Sequence, residues 1–144
     1  MKLASVLAIA LLGVTMRLDA EKKIIQPKEF APGGPFTPGV LVDGTLYVSG
    51  QVGRDLKTQK ISENFEAEVR QTLDNIGVIL REGKMSYEDV VAVQVYLTDM
   101  ELFQRMNAVY ITYFKENRPS RTTVGVTKLA APGAHIEVTV TARK

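Results

Sequence analysis

Two segments with helical periodicity are set among short runs with strand periodicity, and this alternation restricts the chain to a layered fold. Phe65, Val69, Leu73, Ile76 and Leu80 recur at spacings of three and four with charged residues between them, which predicts an amphipathic helix. Gly83 follows closely and is placed to close it. Leu102, Met106, Val109, Tyr110 and Tyr113 or Phe114 form a second such stripe, stopped by Pro119. Thr98-Asp-Met-Glu101 precedes it and reads as a capping box.

The remaining regular segments alternate with a period of two. Leu41-Val42 and Thr45–Val48 flank Asp43-Gly44, a hairpin dipeptide, and Ser49–Gly53 ends the second run. Val91, Val93, Val95 and Leu97 give a third strand an apolar face. Arg121–Thr127 and His135–Ala142 are the last two, separated by Ala131-Pro-Gly133. Ala31–Pro35, with two prolines and two glycines, is a loop. The expected order is β-β-α-β-α-β-β, an α+β two-layer sandwich with both helices on one face of the sheet.

From Lys22 onward nothing resembles a linker or repeat, so residues 21–144 read as a single domain. Residues 1–20 differ. Lys2 precedes Leu3–Met16, whose only polar members are Ser5 and Thr15. A run this short does not reach the ~20 apolar residues of a spanning helix. It has the layout of a secretory signal, with a cleavage point after Ala20 and export to the periplasm or cell exterior. An uncleaved anchor and a cytoplasmic protein with a misassigned start are the alternatives. Cleavage would leave no stable membrane association.

Composition narrows the chemistry. The 144 residues contain no cysteine and a single histidine, His135. Disulfides, thiolate catalysis, Cys-based zinc sites and His clusters are thereby excluded. The net charge is +2, and loss of residues 1–20 removes two bases and one acid, leaving +1. Neither value suggests a nucleic-acid surface. Chemistry must rest on carboxylates, arginines, hydroxyls and backbone groups. His135 reads as an exposed turn residue and receives no role.

In the last strand Ile136, Val138 and Val140 share one face, and Glu137, Thr139 and Thr141 the other. In the strand before it, Val124 and Val126 are taken as the core side, which puts Arg121 and Thr123 on the helix-free face beside Glu137. An exposed Arg–Glu pair of little energetic weight is one reading. The other is a cleft covered by a second subunit, where the guanidinium grips a carboxylate and the Glu moves protons.

Pro119-Ser-Arg-Thr-Thr-Val-Gly-Val126 with Ile136-Glu-Val138 resembles the signature of the RidA/YjgF family of reactive-intermediate deaminases, also labelled endoribonuclease L-PSP-like. Gly34–Gly39, Tyr47–Gln51, Gln71–Ile76, Val95–Asp99 and Met106–Tyr110 match in order, so the resemblance runs from about Ile25 to the C-terminus. It implies a chorismate-mutase-like fold and a homotrimer with sites between subunits. It also implies hydrolysis of 2-iminopropanoate- and 2-iminobutanoate-type imines or enamines to 2-oxo acids and ammonia, without metal or organic cofactor. By position, Arg121 would bind the substrate carboxylate, and Glu137 would polarise water and pass protons to the leaving nitrogen. Ser49, the Gly50 amide, Thr123 and Asn107 would line the pocket. Taken alone, Ser49 reads equally as a turn hydroxyl and Asn107 as a polar position on an exposed helix face. Phe36 stands where these deaminases usually have Tyr, removing one hydroxyl. A ligand-binding trimer without turnover, and less favourably a ribonuclease or translation inhibitor, are the competing functions.

Overall fold

The computed structural model describes residues 21–144; the expected signal sequence lies outside the described residues. The strands are β1 (Lys23–Ile25), β2 (Gly39–Val42), β3 (Thr45–Val52), β4 (Val90–Leu97), β5 (Ser120–Gly125) and β6 (Ile136–Arg143). The helices are α1 (Phe65–Glu82) and α2 (Phe103–Tyr113). The six strands form one mixed sheet in the order β1-β2-β3-β6-β4-β5, in which only β4 and β5 are parallel. Both helices pack on one face, which confirms the α+β sandwich.

The core lies between these layers. Leu73, Ile76, Ile79 and Leu80 of α1 are fully buried with Leu46, Val93, Val95, Leu97, Ile136 and Val138 from the sheet. The β2–β3 hairpin turns through Asp43 and Gly44, both with positive φ (48° and 68°), as the twist of a two-residue hairpin requires. Asn64 opens α1, its side chain accepting from the Ala67 amide at 2.8 Å.

Several local expectations need correction. β1 escaped the pattern because three residues are too few to show a period. β3 does not stop at Ser49 but runs on to Val52, with a register shift between Val48 and Gln51. A second irregularity, between Val90 and Ala92, turns Val91 outward (49% exposed) and buries Val90 instead. The cap before α2 is Asp99, whose carboxylate accepts from the Glu101 amide at 2.8 Å; the Thr98 amide instead donates to the His135 carbonyl. A 3-10 turn, Met100–Leu102, then leads into α2. Gly83 closes α1 at negative φ, and Lys84 takes the left-handed conformation.

A surface clasp ties the helices together. Arg105 donates to both carboxylate oxygens of Glu66, at 2.7 and 2.8 Å, and lies over the Phe65 ring. These hydrogen bonds hold the Glu66 carboxyl down at about 2 from its ordinary 4.5. A depressed carboxyl stabilises the fold above its unfolded value, and that contribution fades as pH falls towards the folded one. The melting temperature of Arg105→Ala should therefore lie below the parent's at pH 6, and the gap should close as the pH approaches 2. A gap independent of pH would show that the clasp acts through packing alone.

Candidate functional site

The irregular stretch of β3 creates a seat for a carboxylate. At Ser49-Gly50 the strand bends out of register with β6. The Ser49 amide donates to the Pro38 carbonyl at 2.9 Å, and its hydroxyl to the Thr37 carbonyl at 2.6 Å. That hydroxyl thus ties β3 to the Gly34–Gly39 loop. Gly50 has no Cβ, and a Cβ there would run into the Glu137 carboxylate. Glu137 therefore lies flat on the Gly50 backbone, an approach that any other residue would block.

This seat opens into a cleft of about 660 Å³. Its lining is mostly apolar, with Phe30, Phe36 and Leu56 prominent, and its polar groups include Glu137, Ser49, Gln51 and Arg54. An apolar cleft with few convergent polar groups is the usual form of a small-molecule site. Phe36 is 65% exposed on its rim. The far wall is held by buried Asn75 of α1, whose amide nitrogen donates to the carbonyls of Val52 and Arg54 at 3.0 and 2.9 Å.

Arg121, Thr123 and Asn107 are elsewhere. In the parallel β4–β5 ladder Arg121 pairs with Val93, Thr123 with Val95 and Gly125 with Leu97. Those β4 residues face the helices, so Arg121 and Thr123 do as well. The Arg121 guanidinium lies over the α2 rings of Tyr110 and Phe103, 4.5 and 5.7 Å from their centroids. Asn107, half-buried, occupies the helical turn between those two rings. Val124 is the residue on the helix-free face, and it is 40% exposed. The expectation that Arg121 and Thr123 share a face with Glu137 is thus overturned. β5 is the edge strand, where aromatic rings and a long aliphatic stem let an arginine occupy the helix side. Alternation alone therefore chose the wrong parity there.

The candidate residues thus divide into two groups on opposite faces of the sheet. One holds Glu137, Gly50, Ser49 and Phe36; the other holds Arg121, Thr123 and Asn107. The buried hydroxyls of Thr123 and of neighbouring Tyr110 have no hydrogen-bond partner within the described residues, which suits a surface completed from outside. The ion pairs among the described residues are Glu66–Arg105, Glu68–His135 and Asp89–Lys144, so Arg121 faces no carboxylate of its own chain. Among the described residues no three His, Cys, Asp or Glu side chains group closely enough to hold a metal ion.

One structural feature escaped the sequence reading. Glu68, in the first turn of α1, is fully buried. Its carboxylate accepts from the His135 amide at 2.7 Å, the Ile136 amide at 3.3 Å and His135 Nδ1 at 2.9 Å. A Cβ on Gly53 would collide with Glu68, so this side chain fills the gap between the end of β3 and the start of β6. It pins the strand two residues ahead of Glu137. The available signal was a carboxylate three residues after Phe65, on the apolar stripe itself.

Comparison with known proteins identifies the arrangement. The family model described as Endoribonuclease L-PSP matches residues 26–144. A RutC family protein of Aquifex aeolicus is 38% identical over 125 residues, 85% of this chain and 99% of its own length. Human 2-iminobutanoate/2-iminopropanoate deaminase is 40% identical over 111 residues, 75% of this chain and 80% of its own. The crystal structure of the YjgF gene product from E. coli superposes with a TM-score of 0.77 at 31% identity, covering 85% of this chain and 98% of that one. A shared fold, a family model matching residues 26–144, and relatives of this identity place the chain in the RidA/YjgF family.

Proposed function

We propose that this protein hydrolyses 2-imino acids to 2-oxo acids and ammonia, at sites assembled between neighbouring chains of a homotrimer. The observation that carries the reading is Glu137, seated on Gly50 and facing a cleft, with no cation of its own chain paired to it. The human and rat relatives, both named 2-iminobutanoate/2-iminopropanoate deaminase, support it. Because Arg121 is on the opposite face, it is the Arg121 of a neighbouring chain that grips the carboxylate next to the imine in this reading, together with that chain's Thr123 and Asn107.

The chemistry asks little of the protein. Glu137 takes a proton from water as the water oxygen bonds to the imine carbon, giving a carbinolamine. With the imine nitrogen entering protonated, that carbinolamine is neutral. Glu137 then returns the proton to nitrogen and takes the hydroxyl proton as the C–N bond breaks, so that a C=O bond forms and ammonia leaves. The imine carbon is already electrophilic, so holding water and substrate in line supplies much of the acceleration. No cofactor enters this sequence.

The test generates 2-iminobutanoate from threonine with a dehydratase and follows its trapping by semicarbazide. The protein should suppress semicarbazone formation, and Arg121→Ala should not. Unchanged trapping with the parent protein would overturn the reading. Phe36 favours a second reading, a binding protein without turnover, since it leaves no hydroxyl on that rim to order water. In that case carboxylates bind, hydrolysis is absent, and Phe36→Tyr should restore it if the missing hydroxyl is the cause. Ribonuclease action is disfavoured by the small net charge. Residues 1–20 are read as an export signal, so the N-terminus of protein recovered from its own host should be Glu21.

A further inference from the structure

One residue in the wall of the cleft around Glu137, Arg54, bears on which imino acids the site selects. Val52 pairs with Glu137 across the β3–β6 ladder, and Gly53 faces α1, where it meets Glu68. Just past the end of β3, Arg54 lines the same cleft as Glu137. Its backbone is fixed on both sides: its amide donates to the Val52 carbonyl at 2.8 Å, and its carbonyl accepts from buried Asn75 at 2.9 Å.

Arg54 is half-buried, and none of the ion pairs among the described residues involves it. Among the described residues Arg54 is also the one cationic residue lining this cleft; the carboxylates there are Glu137 and Glu29. Lys60 and Glu63 join Arg54 along the adjoining groove.

We infer that Arg54 is a specificity residue that selects imino acids carrying a second carboxylate on their side chain. This rests on the deaminase reading: Arg121 of the neighbouring chain takes the carboxylate next to the imine, and Arg54 takes the distal one. A planar fork suits a bidentate carboxylate, and an arginine left without a partner in a cleft discriminates against neutral side chains. Apolar Phe36 and Leu56 contact the methylenes between the two acidic groups.

Calorimetry with the two reaction products separates the claims. The parent should bind 2-oxoglutarate at least about tenfold more tightly than 2-oxobutanoate. Arg54→Leu should level the two, and Arg54→Lys should retain part of the difference. Turnover of imines made by amino-acid oxidases from glutamate and from methionine should show the same preference, expressed in KM and not in kcat. Equal binding in the parent, failure to bind either acid, or a preference that survives Arg54→Leu would overturn the inference. An Arg54-dependent preference in a protein that hydrolyses no imine would overturn the deaminase reading and leave the dicarboxylate subsite standing.

Discussion

Glu137→Gln should lower kcat for imine hydrolysis by a factor of about 100 or more and leave the melting temperature nearly unchanged. The amide keeps the size and one acceptor oxygen, so it still fits over Gly50, where a Cβ would collide with the native carboxylate. It cannot accept the proton of the attacking water or return it to nitrogen. KM should move little, because in the proposed site the substrate carboxylate is held by Arg121 of a neighbouring chain, not by Glu137. A variant that keeps more than a third of the parent's kcat would show that Glu137 is not the proton carrier. Measuring kcat and KM separately is therefore essential, since a loss in KM alone would assign Glu137 to binding.

The largest effect on stability is expected at Glu68. Glu68→Ala strips the acceptor from two backbone amides, those of His135 and Ile136, and leaves an empty space against Gly53. Unsatisfied buried donors and the cavity together should cost about 3 kcal/mol or more, which lowers the melting temperature by ~10 °C for a domain of this size. Glu68→Gln should cost much less. Its oxygen still serves the amides, and its NH2 can donate to the other tautomer of the His135 ring. Thermal melts at one fixed protein concentration compare the two, since assembly would otherwise shift the midpoint. If both variants melt together, the burden lies in the charge of Glu68 and not in its hydrogen bonds to the strand.

The ease of reading these features from sequence differed for physical reasons. The stripes of α1 and α2 were plain because each repeats over three turns or more, and a helix face fully committed to the core tolerates few exceptions. The hairpin was plain because Asp43-Gly44 suits positive φ at both central positions. β6 is flanked by β3 and β4 and alternates cleanly, so the side of Glu137 was readable. β5, in contrast, has one neighbour and a free edge. There the aromatic rings of Phe103 and Tyr110 give Arg121 a place on the helix side that a two-letter apolar/polar code cannot represent. The same limit hid Glu68, a charge in a core position made acceptable by three donors that come from 67 and 68 residues away. Long-range partners leave no local signature. Conversely, family resemblance named the candidate site residues as one set, and only the coordinates divide that set between two faces.

That division gives the central claim its test: one site needs Glu137 from one chain and Arg121 from another. Arg121→Ala and Glu137→Gln, each inactive alone, should recover activity when co-expressed. With random assembly about a quarter of the sites combine an intact Arg121 with an intact Glu137, so imine hydrolysis should return to about that fraction of the parent's. Mixed oligomers, verified by differently tagged chains, that remain as inactive as either variant would contradict a site shared between neighbouring subunits.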